Sequence, residues 1–116
     1  MKLYNDRGTI EITPEVFASL TGCVAMGCFG VKGMAAKNKA SGIVSLLRGD
    51  NMTKGVKVVF ADNMVAIELH IIVKYGINIS AVCQSIISEV SYNVERLTGV
   101  KVSGVNIFVD SISAEQ

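Results

Sequence analysis

The stretch VKVVFADNMVAIELHIIVKY, residues 56–75, decides the fold. Val56, Val58 and Phe60 alternate with Lys57 and Val59, and Ala61-Asp62-Asn63-Met64 contains two turn formers. The chain then returns with Val65, Ile67, Leu69, Ile71 and Val73 on one side and Ala66, Glu68, His70, Ile72 and Lys74 on the other. Side chains of a strand point to opposite faces in turn, so this is a β-hairpin with one core face and one largely polar face.

Working outward, Tyr75-Gly76-Ile77-Asn78 turns the chain, with Gly76 free to take a positive φ. Ser80 is read as the N-cap of a helix reaching about Thr98, because Val82, Ile86, Val90, Val94 and Leu97 recur every three to four residues. Gly99 suits a left-handed C-terminal cap. Val100 and Val102 begin a last strand whose apolar phase then jumps to Val105, Ile107 and Val109. A one-residue jump across Ser103-Gly104 predicts a β-bulge. The tail from Ser111 is expected to fray.

Upstream, Thr9 to Ile12 alternates as a short strand. Thr13-Pro14-Glu15 starts a helix with a capping residue, a proline at the first position and an acid at the positive helix end. Val16, Phe17, Leu20, Cys23, Val24 and Gly27 give that helix its expected apolar face. A second helix is expected over Ala40 to Leu47. The order is then β-α-α-β-β-α-β: an α+β, two-layer domain with helices packed on one face of a small, mostly antiparallel sheet. One domain spans residues 1–116, with an ordered core at about 8–110.

Composition excludes several classes. Half of the residues are hydrophobic and 18% are charged, which is incompatible with intrinsic disorder. Net charge is +1, so the whole chain is not an electrostatic nucleic-acid binder. The beginning lacks the apolar segment of a signal peptide, and no run of about 18 apolar residues could span a membrane. Three cysteines (Cys23, Cys28, Cys83) and a lone histidine form neither a disulfide framework nor a zinc site. They are read as small buried hydrophobes in a reducing cytoplasm. No catalytic residue, metal ligand or cofactor motif is identified.

Two surfaces remain. Residues 32–57 hold Lys32, Lys37, Lys39, Arg48, Lys54 and Lys57 against Asp50, a local +5 set against −4 elsewhere. Gly27-Cys28-Phe29-Gly30 and Gly30-Val31-Lys32-Gly33 both fit the GXXG pattern of RNA-binding KH modules, Lys32 favouring the second, so within the loop Gly27 to Gly33 and the basic segment, Gly30, Lys32, Gly33, Lys37 and Lys39 are candidate anion or nucleic-acid contacts. A solvated basic connection explains the same residues. The polar hairpin face, with Glu68, His70 and Lys74, is a candidate partner surface. Glu68 could orient the His70 ring, but catalysis would also need a nucleophile or a substrate pocket.

Specific strings then accumulate: TIEITPEV, GVKGM, SGIVSLLRGDNMTKGVKV, IELHIIVKYGINISAVCQSI and LTGVKVSGVNIFVDSI. Over about residues 4–112 the chain resembles the bacterial alkaline shock proteins, also called envelope stress response proteins. Tyr75, Gly76 and Asn78 belong to the most specific part of the match. The resemblance implies a small cytoplasmic α/β protein without an assigned enzymatic activity, linked to cell-envelope stress. Some such proteins reach the membrane through a separate anchor protein. It carries no catalytic motif and no cofactor. The expected partners are other proteins, and exposed edge strands such as Thr9 to Ile12 could pair with a second copy of the chain. Cys23, Cys28 and the basic run MAAKNKAS depart from the family pattern.

Overall fold

A computed structural model describes residues 1–37, 44–47 and 54–114, with side chains at 1–35 and 54–114. The elements are β1 (Lys2–Asn5), β2 (Gly8–Glu11), α1 (Pro14–Met26), β3 (Val31–Lys37), β4 (Val44–Leu47), β5 (Val56–Ala61), β6 (Met64–Lys74), α2 (Ile79–Thr98) and β7 (Lys101–Ser113). The architecture is α+β, with both helices layered on one sheet face.

The hairpin forms as its pattern dictates. β5 and β6 pair antiparallel from Val56↔Leu69 to Ala61↔Met64. Asp62 and Asn63 turn the chain with φ of 53° and 61°, the pair of left-handed residues that a tight two-residue hairpin turn requires. β6 is the spine of the larger sheet. β7 runs parallel to it along all of Met64 to Lys74. The opposite edge of β6 is therefore shared: β5 takes the first half, and β3 pairs antiparallel at Val31↔Val73 and Met34↔Ile71. β4 extends the sheet beyond β3.

Val65, Ile67, Leu69, Ile71 and Val73 are all buried, against Val82, Ile86, Val90 and Val94 of α2 and Phe17 of α1. Each such aliphatic side chain contributes about 1.5–3 kcal/mol on full burial. The predicted bulge is present: Val65↔Val102 is followed by Ala66↔Gly104, leaving Ser103 unpaired.

Several expectations change. Val44–Leu47, expected as the end of a second helix, is strand β4; Ala40 to Ile43 lie outside the described residues. A short apolar run with β-branched residues fits either period, and the unpaired edge of β3 decides it. The chain also begins with a strand, β1, so the first element is a separate hairpin, β1–β2, tied by hydrogen bonds between Met1 and Ile12. The order among described residues is therefore β-β-α-β-β-β-β-α-β.

Helix α1 is rotated from its expected face. Phe17, Ala18, Thr21, Gly22 and Ala25 are buried, while Val16 and Cys23 are exposed. Small residues allow close backbone approach that a hydropathy pattern does not register. Thr13 stands at the N-cap but its side chain makes no cap bond. For α2 the cap is Asn78 rather than Ser80; its Oδ1 accepts the Ala81 amide at 3.0 Å. β7 runs to Ser113, and the Ser113 carbonyl accepts the Tyr75 amide, so the tail does not fray at Ser111.

Candidate functional site on the open sheet face

The parallel β6–α2–β7 crossover decides which polar residues meet. Residues paired in a parallel ladder point to the same face. Glu68↔Asn106 and His70↔Phe108 therefore stand together on the face away from the helices. Lys57 joins them through Lys57↔Glu68 on β5. A second register shift, between Ile71↔Val109 and Ile72↔Ser111, leaves Asp110 unpaired and turned toward His70.

The His70 ring sits at the centre. Its Nδ1 lies 2.9 Å from Asp110 Oδ2 and its Nε2 lies 3.0 Å from Glu68 Oε2. The ring stacks on Phe108, with centroids 4.9 Å apart and planes 11° apart. Lys57 Nζ approaches Glu68 at 3.9 Å from a far more exposed position.

A neutral imidazole has a single N–H, so it cannot donate to two carboxylates. With both ring nitrogens at hydrogen-bond distance from ionised oxygens, the arrangement selects the imidazolium. Partial burial pulls the His70 pKa down, but the hydrogen bonds and charges of Glu68 and Asp110 outweigh it, and the net shift is upward from 6.5. The protonated cluster has two cations, Lys57 and His70, against two carboxylates. It is balanced only while His70 holds its proton.

This geometry bears on catalysis as well. A general base needs a free lone pair within reach of substrate. Both His70 nitrogens are engaged by carboxylates, and its remaining neighbour is an aromatic face. The arrangement is suited to fixing a surface rather than to moving a proton during turnover.

Of the sequence-predicted partner residues, Glu68 and His70 are brought together. Lys74 is exposed at the far end of β6. Lys57, Asn106, Phe108 and Asp110 were not anticipated. For Asn106, Phe108 and Asp110 the signal lay in β7, where polar and aromatic residues alternate with Val105, Ile107 and Val109, but it becomes readable only once β7 is placed parallel to β6, whereas Lys57, on β5, falls in the basic segment 32–57.

The GXXG residues are distributed differently from a loop. Gly30, at φ +85°, turns α1 into β3, and its carbonyl accepts the Lys74 amide at 2.9 Å. Val31 and Gly33 are buried within β3, and Lys32 is half-buried. Lys37 ends β3, and Lys39 lies outside the described residues.

The Tyr75-Gly76-Ile77-Asn78 signature has a structural reason. Gly76 takes φ +90°, Ile77 packs against Gly30, and Asn78 caps α2, so the four residues convert the sheet spine into the second helix. Tyr75 itself is exposed.

Cys23 and Cys28 line an open cleft of about 460 Å³ between the end of α1 and α2, with Phe29, Ser85 and Glu89. Burial and the nearby Glu89 charge raise the Cys28 pKa. Its Sγ donates to the Val24 carbonyl at 3.3 Å. Cys28 is thus held as a thiol and is a poor nucleophile at neutral pH. Burial raises Cys83 in the same direction.

A mixed sheet with both helices on one face and an ordered, partly apolar open face defines an α+β domain with an accessible sheet surface. The chain belongs to the alkaline shock protein 23 family, described as having a cell envelope-related function, whose model matches residues 2–114. It is 36% identical over 113 residues to the uncharacterized protein YloU of Bacillus subtilis, covering 97% of this chain and 94% of that protein. It is 34% identical to the uncharacterized protein Spy1614 of Streptococcus pyogenes, covering 97% of this chain and 93% of the relative. A second Bacillus subtilis protein, the uncharacterized YqhY, is 31% identical over 90% of this chain and 77% of its own length. No solved structure matches the chain. Among the described residues no helix is long and apolar enough to cross a membrane.

Proposed function

We propose that this protein is a non-enzymatic cytoplasmic adaptor of the cell envelope, acting through protein contacts at the open face of its sheet. The observation that carries this reading is the ordered cluster of Glu68, His70, Phe108 and Asp110, set beside exposed Val59 and Lys57. A rigid aromatic group flanked by fixed charges is the composition of a contact surface, with an apolar anchor inside polar positions that set orientation. The family's cell envelope-related description supports the setting. In this reading, membrane association comes through a membrane-anchored partner and not through the chain itself. The placement of Val31 and Gly33 inside β3 favours this adaptor role over a glycine-loop RNA clamp.

The test is site-specific photocrosslinking in living cells. A photoreactive residue at Phe108 or Val59 should capture a discrete partner, whereas one at exposed Tyr92 of α2 should not. Phe108→Ala should abolish capture from position 59 while leaving the fold intact. Equal, diffuse labelling from all three positions would remove the open face from consideration.

A further inference from the structure

The His70 cluster is closed upon itself in one protonation state and cannot be in the other. Charged groups face the ring from β5, β6 and β7. Glu68 of β6 and Asp110 of β7 accept from its two nitrogens, and Lys57 of β5 stands beyond Glu68. β3 brings no described charge to the ring, since its Lys32 lies in the irregularity opposite Val73 and Ile72. Lys54 before β5, Lys74 at the end of β6 and Lys101 at the start of β7 are exposed further along the same strands.

Loss of the ring proton leaves a single N–H for two carboxylates, and the two are not equal. The Asp110 side chain is 15% exposed against 33% for Glu68, so losing its donor costs Asp110 more. Glu68 also has the longer side chain and a second cation, Lys57 Nζ, at 3.9 Å. The remaining proton therefore stays on Nδ1, between the ring and Asp110. Nε2 then turns its lone pair toward Glu68 Oε2 at 3.0 Å, where acceptor repels acceptor. Glu68 swings outward, and the cluster keeps one cation, Lys57, against two carboxylates.

We propose that the proton on His70 gates the open face: the imidazolium form keeps Glu68 paired within the chain, and the neutral form offers the Glu68 carboxylate to a basic side chain of the protein partner. This rests on the adaptor reading and names both the regulation of that surface and the chemistry it accepts. Lys57 offsets part of the freed charge but, at 70% exposure and 3.9 Å, leaves the carboxylate room for a second cation. Exposed apolar groups stand on either side of β6, Val59 on β5 and Phe108 on β7, so the site suits a basic residue flanked by apolar ones. Arginine matches best, because its guanidinium is weakly hydrated and pairs with a carboxylate through two N–H groups. The partner's cation takes the place of the imidazolium. Binding therefore tightens as pH rises through the His70 titration, and by reciprocity the bound cation makes His70 easier to deprotonate.

Two measurements on the full chain test this. Nitrogen-15 NMR of the imidazole at about pH 9 should show the proton on Nδ1 and the lone pair on Nε2. Titration with the peptide acetyl-Leu-Arg-Leu-amide, whose guanidinium stays charged throughout, should shift the amides of Val59, Glu68 and Phe108. Its affinity should be about three- to fivefold higher at about pH 9 than at about pH 6. That gain should vanish in His70→Gln, in Glu68→Gln, and with citrulline in place of the peptide's arginine. A proton retained on Nε2, a peptide that does not bind at the higher pH, or a gain that persists in His70→Gln overturns the gate. Each of these leaves in-cell capture at Phe108 and Val59 unaffected, so failure of the gate is separable from failure of the adaptor role.

Discussion

The His70 cluster makes stability depend on pH in a direction that the geometry fixes. The folded state raises the His70 pKa above its ordinary 6.5, so the folded chain holds this proton more tightly than the unfolded chain does. The resulting stabilisation is fully present below 6.5. It is lost as pH rises through the higher folded value, and it does not return at more alkaline pH. Each contact is a charge-assisted bond to a carboxylate, but the site is partly open, with the His70 side chain 27% exposed and Asp110 15%. Partly exposed ion pairs are worth about 0.2–1 kcal/mol each. Deprotonation leaves one N–H to serve two carboxylates and removes the charge from both contacts, so the expected loss is about 1 kcal/mol.

Urea unfolding between about pH 6 and about pH 9 is the assay, with His70→Gln as the reference that absorbs all other titrations. The wild-type midpoint should fall relative to His70→Gln by about 0.5 M urea across that range, given an m-value of about 2 kcal/mol/M. Imidazole NMR should place the His70 titration above 6.5 in the wild type, and Asp110→Asn or Glu68→Gln should each bring it down. Parallel pH profiles for wild type and His70→Gln, or a His70 that titrates below 6.5, would refute the reasoning.

Leu69 lies fully buried on the spine strand, and Leu69→Ala should cost about 2–5 kcal/mol in chemical denaturation, with Val90→Ala somewhat less costly. Gly30→Ala should destabilise by at least about 1–3 kcal/mol, because φ +85° strains any side chain and its Cβ would meet Ile77 Cδ1 at 2.9 Å. Thr21 buries a hydroxyl with no hydrogen-bond partner among the described residues. Thr21→Val, equal in shape, should therefore be neutral or raise stability by about 1 kcal/mol, read as a higher thermal midpoint.

The parts of the fold that were legible are those in which one local period does the specifying. Alternation over Val65 to Val73 fixed the faces of β6, and the apolar stripe from Val82 to Val94 fixed the buried side of α2, although Leu97, expected to continue that stripe, is exposed. The phase jump at Ser103-Gly104 located the bulge from sequence, because a strand whose apolar parity changes must contain an extra residue. Where apolar size is a poor guide, the reading failed. α1 approaches its neighbours through Ala18, Gly22 and Ala25, so Val16 and Cys23 were assigned inward although they face out. The segment Val44–Leu47 was ambiguous for a different reason: its state depends on pairing with β3, at Ala35↔Leu46 and Ala36↔Ser45, rather than on its own pattern.

The candidate site was half legible, and the missing half explains why the surface exists. Glu68 and His70 are two apart on one strand, so sequence alone places them on one face. Asp110 lies 40 residues from His70 and reaches it only because β7 is parallel to β6 and shifts register beside it. A regular ladder would continue the alternation and carry the residue after Val109 past the ring. The irregularity instead leaves Asp110 unpaired, at hydrogen-bond distance from Nδ1. One local feature, the register shift beside Ile72, thus completes the charged cluster on the open face.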